Sequence, residues 1–282
     1  MSIEKVHIER NTVQETLIIP LFSRKVCTDI YSDFFTDPKA IALMNRLDYD
    51  FSAHEKKAGS IVVRFGALEV ATRQKAFALE ATQYLKAHPK AAVVNLGCGL
   101  DQTAEACDNG ECQIYNIDFP DVIAIRNQLI PSGERVHNIA TDLNDPAWFQ
   151  QVFRENGAVF FASGVFYYFT DEQIQHLFNG MAAYFHGGML VFDIAGKTAV
   201  KMAVKTWVKE AGIEGVNTFF YVNSVEENIQ PWLKNARASS KGYMTGYFSL
   251  QEKSIPALFR GIAKIADKIM KMKIVKIEFN NA

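Results

Sequence analysis

The sequence predicts an α/β fold built around a mostly parallel sheet, and two observations support this prediction. From about residue 90, short apolar segments of strand length alternate with helical segments. The strand segments are apolar throughout, which is typical of parallel strands that helices cover on both faces. A chain of 282 residues, of which 49% are hydrophobic, is long enough to bury the large core that such a sheet requires.

The predicted elements follow one another regularly between residues 91 and 196. The predicted strands are 91–97, 112–118, 135–143, 158–166 and 188–196. The predicted helices between them are 102–107, 120–130, 145–156 and 170–185. Pro120 suits the first turn of its helix, because the N–H that it lacks would have no helical partner there. Asp145 is of the residue type that caps a helix N-terminus.

The chain is predicted to form one domain over residues 1–282, because no linker rich in Gly, Ser or Pro divides it. Its predicted parts are a helical N-terminal cover (1–88), a cofactor-binding core (89–196), a lid and substrate region (197–252), and a C-terminal helix with the last strand (253–282). The lid region contains Trp207 and Trp232 among several other aromatic residues.

Composition and charge exclude several classes of function. The net charge of −1 provides no basic field for nucleic acid or an anionic membrane. The polar N-terminal segment does not resemble a signal peptide, and no apolar run reaches the length of a membrane span. The four cysteines form no C-x-x-C pair, so we expect free thiols in a cytoplasmic protein and no metal site.

The segment "VVNLGCGLDQT" (93–103) places two glycines directly after a predicted buried strand. Gly97 and Gly99 remove side chains where a ligand would approach the backbone, near the carboxyl end of a parallel strand. Asp118 follows Gly99 by 19 residues, which matches the spacing of a carboxylate that binds ribose hydroxyls. A ribose-bearing cofactor is therefore favoured over a tight turn without a ligand.

Two cofactors of this kind are distinguished by a third glycine. The dinucleotide fingerprint G-x-G-x-x-G requires one, and Gln102 occupies that position here. S-adenosylmethionine has no pyrophosphate and requires only the shorter turn, so the sequence favours a methyltransferase over a nicotinamide-dependent oxidoreductase. Asp142 and Leu143 end the third predicted strand. They either bind the adenine amino group and ring, or Asp142 merely caps the next turn.

Several segments together carry a resemblance to a known family. They are "ETLIIPLFSRK" (15–25), "DPKAIALMNRLDYDF" (37–51), "VVNLGCGLD" (93–101), "IDFPDVIAIRNQL" (117–129), "DLNDPAWF" (142–149), "ASGVFYYF" (162–169) and "LVFDIA" (190–195). The chain resembles the leucine carboxyl methyltransferase family, in particular a bacterial branch similar to tetracenomycin-type polyketide O-methyltransferases. The resemblance implies a class I S-adenosylmethionine-dependent methyltransferase fold, Rossmann-like, with an antiparallel last strand, a helical N-terminal cover and a lid insertion.

The resemblance also implies roles for particular residues. Arg73 corresponds to an arginine that contacts the cofactor carboxylate, and Arg24 to a basic residue near the N-terminus that assists it. Phe119 falls with Asp118 in the cofactor-binding segment "DFPDVI". Tyr168 follows the fourth strand, near the cofactor methyl group, and is the catalytic candidate.

The chain departs from the family pattern at two places. Gln102 and Thr103 replace the Thr-Arg that usually follows "GLD". Ser163 replaces a glutamate that lies at the amino end of the cofactor in the family, so Ser163 is a cofactor-binding residue without a charge. A catalytically weak or regulatory cofactor-binding protein therefore remains an alternative to an active enzyme.

The predicted reaction is methyl transfer to oxygen on a small or medium organic acceptor, either a carboxylate or a polyketide-like phenol. A carboxylate acceptor needs no general base, whereas a hydroxyl acceptor would benefit from one. No base stands out, and Tyr167, Tyr168, His54 and His186 are candidates whose more ordinary role is packing or exposure at the surface. The aromatic segment 217–233 either lines the acceptor pocket or forms ordinary lid core. The predicted partner is a small molecule, with no nucleic acid and no membrane.

Overall fold

The computed structural model describes residues 5–9, 13–203 and 218–281 of the chain. Within these residues, the helices are α1 (Ile18–Ile30), α2 (Pro38–Asn45), α3 (Ser52–Lys57), α4 (Ile61–Ala87), α5 (Thr103–Ala106), α6 (Pro120–Leu129), α7 (Asp171–Tyr184), α8 (Lys197–Ala203), α9 (Val225–Asn228) and α10 (Ala257–Lys268). The strands are β1 (Val6–His7), β2 (Leu47–Asp48), β3 (Ala92–Leu96), β4 (Gln113–Asp118), β5 (Val136–Ala140), β6 (Ala158–Ala162), β7 (Met189–Ile194), β8 (Ala236–Gly242) and β9 (Lys273–Phe279).

Seven of the described strands form one sheet in the order β5-β4-β3-β6-β7-β9-β8. Strands β3, β4, β5, β6 and β7 pair with one another in parallel. Strand β9 runs antiparallel to both β7 and β8. The predicted α/β fold, with its mostly parallel sheet and antiparallel last strand, is therefore confirmed. The strand order reverses between β3 and β6, and ligands bind at the carboxyl ends of strands beside such a point.

Helices cover both faces of the sheet, as the apolar strands predicted. Along β3, Val93 packs in a core with α1 and α4, while Val94 and Leu96 pack in a second core with α7. In β6, Phe161 and Phe160 divide between the same two cores. This alternation explains why every residue of these strands is apolar or buried, since successive side chains point to opposite faces.

Helix α4 is the longest described helix and crosses one face of the sheet. Ser60 caps it by accepting a hydrogen bond from the Val63 N–H at 3.3 Å. Small buried residues such as Ala67 and Ala71 face α1 and the sheet, so that the helix packs closely. This close packing brings Arg73, near the middle of α4, to the carboxyl ends of β6 and β7.

Two predicted elements are wrong in type or length. Residues 145–156 do not form an α-helix but a short 3-10 segment, Pro146–Gln151, although Asp145 caps it as expected by accepting from the Ala147 N–H. Both Trp148 and Phe149 are buried, and the Trp148 indole N–H donates to the Leu143 carbonyl at 3.2 Å, so tertiary contacts hold this segment in its short form. The predicted strand 158–166 ends at Ala162, because a left-handed turn at Gly164 follows it.

Smaller differences concern the other elements. The predicted helix 102–107 is a single turn, Thr103–Ala106, and the predicted strand 135–143 is Val136–Ala140. The predicted lid region contains β8, an edge strand that was not predicted. Its sequence, "ARASSKG", lacks an apolar run because its residues alternate between half-buried and exposed positions. Trp207 lies outside the described residues.

Candidate active site

The glycine turn lies at the carboxyl end of β3, where the strand order reverses. Both glycines have a left-handed backbone, with φ of +63° at Gly97 and +49° at Gly99, a conformation that L residues with a side chain rarely adopt. A Cβ on Gly97 would lie 2.5 Å from Cγ2 of Val165, and one on Gly99 would lie 2.9 Å from Cδ2 of Leu17. The turn thus requires glycine both for its backbone and for the close approach of neighbouring segments.

Asp118 ends β4 directly beside this turn. Its Oδ2 accepts a hydrogen bond from the Gly99 N–H and its Oδ1 accepts one from the Phe119 N–H, both at 2.8 Å. Burial raises the pKa of Asp118, while these two backbone donors oppose the increase. The structure therefore brings Gly97, Gly99 and Asp118 together as the sequence predicted, with a carboxylate oriented by the turn itself.

The other predicted residues on this side of the site lie at the ends of β4 and β5. The Phe119 side chain is 45% exposed next to Asp118. Asp142 is exposed, and its Oδ1 accepts from the Asn144 N–H at 2.9 Å, which is the capping role that the sequence predicts as one of two alternatives. Leu143 is buried in the core and also borders a cavity of about 290 Å³ between the 3-10 segment and α7.

Arg73 forms a buried ion pair at the carboxyl ends of the neighbouring strands. Its Nη1 lies 3.0 Å from Oδ2 of Asp193, in β7, and both side chains are almost fully buried. Oδ1 of Asp193 accepts from the Gly164 N–H at 2.6 Å, and Oδ2 also accepts from the Tyr167 hydroxyl at 3.1 Å. Three donors therefore hold this carboxylate against the loop that follows β6.

The ionisable groups of this cluster shift one another's pKa values. Burial alone would lower the pKa of Arg73, but Tyr243, Asp193 and Tyr167 raise it above its ordinary value. Burial and the nearby Asp193 raise the pKa of Tyr167, so this phenol stays protonated at neutral pH. The cluster is thus an arginine of fixed charge with a neutral tyrosine, both arranged around one carboxylate.

Ser163 and Tyr168 border the same cluster. The Ser163 side chain is half-buried, and its hydroxyl makes no hydrogen bond to any residue that the structure describes. The Tyr168 side chain is 43% exposed, beside Tyr167. The structure therefore places both residues in the loop that connects the Arg73 cluster to the solvent.

Arg24 lies beside the far end of the glycine turn. Its Nη2 donates to the Leu100 carbonyl at 3.2 Å, and its Nη1 lies 3.1 Å from Oδ2 of Asp37 and 3.3 Å from Oδ1 of Asp101. Its exposed fraction is only 3%. In this arrangement Arg24 ties α1 to the segment "GLD", and its assignment as a cofactor contact stays a prediction.

Part of the predicted lid lies across the site. The Phe219 N–H donates to the Tyr167 carbonyl at 2.8 Å, and the Val222 N–H donates to the Ala195 carbonyl at 3.0 Å. Phe220 and Val222 are buried in the core, whereas Phe219 and Tyr221 are 53% and 42% exposed. The interpretation as ordinary core therefore holds for Phe220 and Val222, and the interpretation as an acceptor pocket stays a prediction for Phe219 and Tyr221. Residue 217 lies outside the described part.

The histidines considered as bases lie elsewhere. His54 packs among the rings of Phe22, Tyr49 and Phe51, and burial lowers its pKa. His186 borders a cavity of about 790 Å³ at the amino ends of β6 and β7, the opposite edge of the sheet. Neither histidine belongs to the candidate site.

Two acidic residues of the site were not identified from the sequence. Asp193 is an acid in an otherwise apolar strand, "MLVFDI", and this exception to the pattern was the signal available. Glu69 lies one helical turn before Arg73 on α4, and Arg73 interacts with it electrostatically. Glu69 is one of several charged residues on this long helix, so it gives no comparable signal.

Known proteins resemble the chain in sequence over more than half of its length. The family model for leucine carboxyl methyltransferase matches residues 19–182, more than half of the chain. The chain is also 27% identical over 182 residues to the tetracenomycin polyketide synthesis O-methyltransferase TcmP of Streptomyces glaucescens. That match covers 64% of this chain and 65% of TcmP, just under two thirds of its length.

Solved structures share the fold at low sequence identity. A protein of Thermobifida fusca classed as a methyltransferase superposes with a TM-score of 0.57 at 12% identity, covering 92% of this chain and 94% of its own. The plantazolicin methyltransferase BpumL in complex with SAH superposes with a TM-score of 0.50 at 13% identity, covering 95% and 99%. In the described part of this chain, no helix has the length and apolarity needed to cross a bilayer.

Proposed function

Because the chain belongs to the leucine carboxyl methyltransferase family, we propose that it is an S-adenosylmethionine-dependent O-methyltransferase that acts on a small or medium organic acceptor. The observation that carries this proposal is the carboxylate of Asp118, fixed against the glycine turn at the strand-order reversal. Sequence similarity to a polyketide O-methyltransferase supports transfer to oxygen. The family also favours methyl transfer over the hydride transfer of a nicotinamide enzyme.

The residues at the glycine turn fit the ribose of this cofactor. An ionised carboxylate offers about four acceptor positions, and each oxygen of Asp118 uses one of them for a backbone N–H. Both oxygens thus retain a position for a ribose hydroxyl. The exposed ring of Phe119 and the carboxylate of Asp142 follow along the same edge, and we assign them to the adenosine end.

The residues at the other end fit the amino-acid part of the cofactor. A guanidinium has five N–H donors, and only Nη1 of Arg73 is bound to Asp193. The remaining donors of Arg73 would bind the cofactor carboxylate, while Asp193 holds the guanidinium in position beforehand. Ser163 would accept from the cofactor amino group, and Arg24 would act from behind the turn.

When bound, S-adenosylmethionine supplies a methyl group that is already activated on a sulfonium. The protein then has to orient the acceptor and exclude water. Tyr168, Phe219 and Tyr221 are exposed at the mouth of the site and would position an aromatic acceptor by stacking. Buried cysteines without disulfide partners support a reducing, cytoplasmic setting.

Calorimetric titration with S-adenosylhomocysteine tests this function directly. We expect binding with a dissociation constant below 1 mM, weakened about tenfold or more by Asp118→Asn because one acceptor oxygen is lost. Exposed Asp171→Asn on α7 serves as the control and should bind as the wild type does. Failure of the wild type to bind at millimolar concentration would refute the proposal.

A second candidate function is a regulatory protein that binds the cofactor without efficient turnover. Ser163 favours it, because a neutral hydroxyl replaces the family's charged group. Incubation with methyl-labelled S-adenosylmethionine and a panel of phenols and carboxylic acids separates the two candidates. Methylated product supports the enzyme, and tight binding without any product supports the regulatory protein.

A further inference from the structure

Two buried arginines bind the backbone of the glycine turn. Among the described residues, Arg24 and Arg126 are the only arginines that are almost fully buried, with exposed fractions of 3% and 0%. Nη1 of Arg126 donates to the Gly99 carbonyl at 2.9 Å and to the Asp101 carbonyl at 2.7 Å. Nη2 of Arg24 donates to the Leu100 carbonyl at 3.2 Å. Three successive carbonyls of the turn therefore each accept from a buried guanidinium.

The ion pair of Arg126 does not by itself account for its burial. Nη2 of Arg126 lies 2.5 Å from Oε1 of Glu105, on α5. Taking a guanidinium out of water is costly, and one carboxylate seldom offsets that cost. The other terminal nitrogen binds the turn, and hydrogen bonds from a charged donor are stronger than those between neutral groups. Moving the turn requires these bonds to break, so they restrict it to one conformation.

Gly99 connects Arg126 to Asp118. The Gly99 N–H donates to Oδ2 of Asp118 at 2.8 Å, and the Gly99 carbonyl accepts from Arg126. Both backbone polar groups of this glycine are therefore bound, one on each side of its left-handed Cα. A displacement of the turn would also displace the N–H that orients the Asp118 carboxylate.

The position of Arg126 follows from the helix that begins beside Asp118. Helix α6 starts at Pro120, and Arg126 lies in its last turn. Side chains of a helix lean toward its N-terminus, so the long Arg126 side chain extends back toward the carboxyl end of β4. The sequence assigned it no role, because an arginine on a helix of mixed character is expected at the surface.

We propose that Arg126 is a positioning residue for the cofactor, which holds the glycine turn so that Asp118 is oriented toward the ribose before the cofactor binds. This inference rests on the proposed methyltransferase function. Arg24 has the same role from the other side, since all three of its guanidinium nitrogens already donate to groups of the protein. Such preorganisation increases affinity, because binding then has fewer groups to order.

Replacing Arg126 together with its counter-charge tests the inference without leaving a buried charge unpaired. Arg126→Met/Glu105→Gln should fold, because removing both members of a buried pair costs far less than removing one. Calorimetry should show that its dissociation constant for S-adenosylhomocysteine is increased about tenfold or more. Glu105→Gln alone keeps the bonds from Arg126 to the turn and should bind within about threefold of the wild type. Equal losses for the two variants, or a double variant within threefold of the wild type, would overturn the inference.

Arg135 provides a matched control. Its Nη1 lies 2.6 Å from Oδ1 of Asp108 and donates to the Cys112 carbonyl at 2.9 Å, so it also joins an acid to a backbone carbonyl. These contacts lie at the amino end of β4, away from the turn. Arg135→Met should lower stability but change the dissociation constant by less than about threefold. A loss as large as that of the Arg126 variant would show that affinity merely follows stability.

A mutant cycle with Asp118 distinguishes positioning from a general structural role. If Arg126 acts through Asp118, adding Arg126→Met/Glu105→Gln to Asp118→Asn should weaken S-adenosylhomocysteine binding by about threefold or less beyond Asp118→Asn alone. Fully additive losses, about 100-fold in the combined variant, would show that Arg126 acts independently of this carboxylate and would refute the assignment.

Hydrogen exchange of the wild type tests the same point without any variant or ligand. The Gly99 amide should exchange within about tenfold of the rate of Val94, in the centre of β3, because the turn is held before the cofactor arrives. Faster exchange than this would show a turn that is not preorganised. If the wild type does not bind S-adenosylhomocysteine at all, the proposed function itself fails. If it binds and the Arg126 variant binds equally well, only the positioning role fails.

Discussion

Nη1 of Arg73 lies 3.0 Å from Oδ2 of Asp193, and 120 residues of sequence separate these two partners. The pair joins helix α4 to strand β7 across the carboxyl ends of the central strands. Since the Gly164 N–H and the Tyr167 hydroxyl also bind Asp193, the same carboxylate fixes the loop after β6. One acidic residue therefore organises the helix, the strand and the loop that together form this half of the site.

Replacing Asp193 by asparagine should strongly destabilise the protein. The variant keeps the size of the side chain but leaves the buried guanidinium of Arg73 without a counter-charge, which costs about 3–5 kcal/mol in comparable cases. Urea unfolding followed by circular dichroism measures the loss. Asp29→Asn is the control, because it removes a carboxylate from a more exposed ion pair, in which Oδ2 of Asp29 lies 2.8 Å from Nζ of Lys25. This change should lower the free energy of unfolding by less than about 1 kcal/mol. Similar losses for the two variants would contradict the structural role assigned to Asp193.

Replacing Gly97 by alanine should destabilise the glycine turn for two separable reasons. Alanine in the left-handed region costs about 1–2 kcal/mol, and the overlap with Val165 adds about 1–3 kcal/mol. Gly110→Ala isolates the first cost, because Gly110 has a φ of +87° and open space around it. The free energy of unfolding should therefore decrease more for Gly97→Ala than for Gly110→Ala.

A double-mutant cycle tests the overlap at Gly97. Adding Val165→Ala removes the methyl group that a new Cβ would meet 2.5 Å away. The combined variant should be at least about 1 kcal/mol more stable than the sum of the two single changes predicts. Strict additivity would show that the turn relaxes away from Val165 without cost.

Local patterns predicted one half of the site, and long-range contacts determine the other half. The glycine turn and Asp118 follow directly from strands that end in characteristic residues, and neighbouring parallel strands bring their ends together. Asp193 meets Arg73 only because helix α4 crosses the sheet at the carboxyl end of β7, and no spacing in the sequence encodes that crossing. Glu69 lies four residues before Arg73 on the same helix, but that spacing alone does not show which face of α4 points to the site.

The errors in the predicted fold have the same origin. Residues 145–156 have helical propensity, but only Pro146–Gln151 form a 3-10 turn, in which the buried Trp148 donates from its indole N–H to the Leu143 carbonyl. Strand β8 was missed because an edge strand with one solvent-facing side can consist of serine, alanine and lysine. In each case tertiary packing decides a structure that the local pattern left open.

Stability should depend on pH through Glu69. Burial raises the pKa of this residue from 4.5 to about 7 in the folded protein. The unfolded chain therefore releases the proton first, and the stabilisation present below about pH 4.5 is lost as the pH increases through 7. Glu69→Gln cannot ionise, so its stability relative to the wild type should increase by about 1–2 kcal/mol between pH 4.5 and pH 8. Urea unfolding at half-unit pH intervals measures this difference. Parallel pH profiles would mean that Glu69 titrates as an ordinary surface acid.

Restoring an acidic residue at position 163 should strengthen cofactor binding. Ser163 is half-buried in the loop after β6, at a position where the family resemblance implies a glutamate, and its hydroxyl has no partner among the described residues. A charge-assisted hydrogen bond contributes about twice as much as a neutral one, so Ser163→Glu should lower the dissociation constant of S-adenosylhomocysteine about tenfold.

Ser163→Gln, of nearly equal size but neutral, is the matched control and should change this dissociation constant by less than about threefold. If the glutamine variant binds as tightly as the glutamate variant, the gain comes from size rather than charge. If the glutamate variant binds more weakly than the wild type, repulsion from Asp193 outweighs the attraction to the cofactor amino group, and Ser163 is then an adaptation to the acidic cluster rather than a loss of affinity.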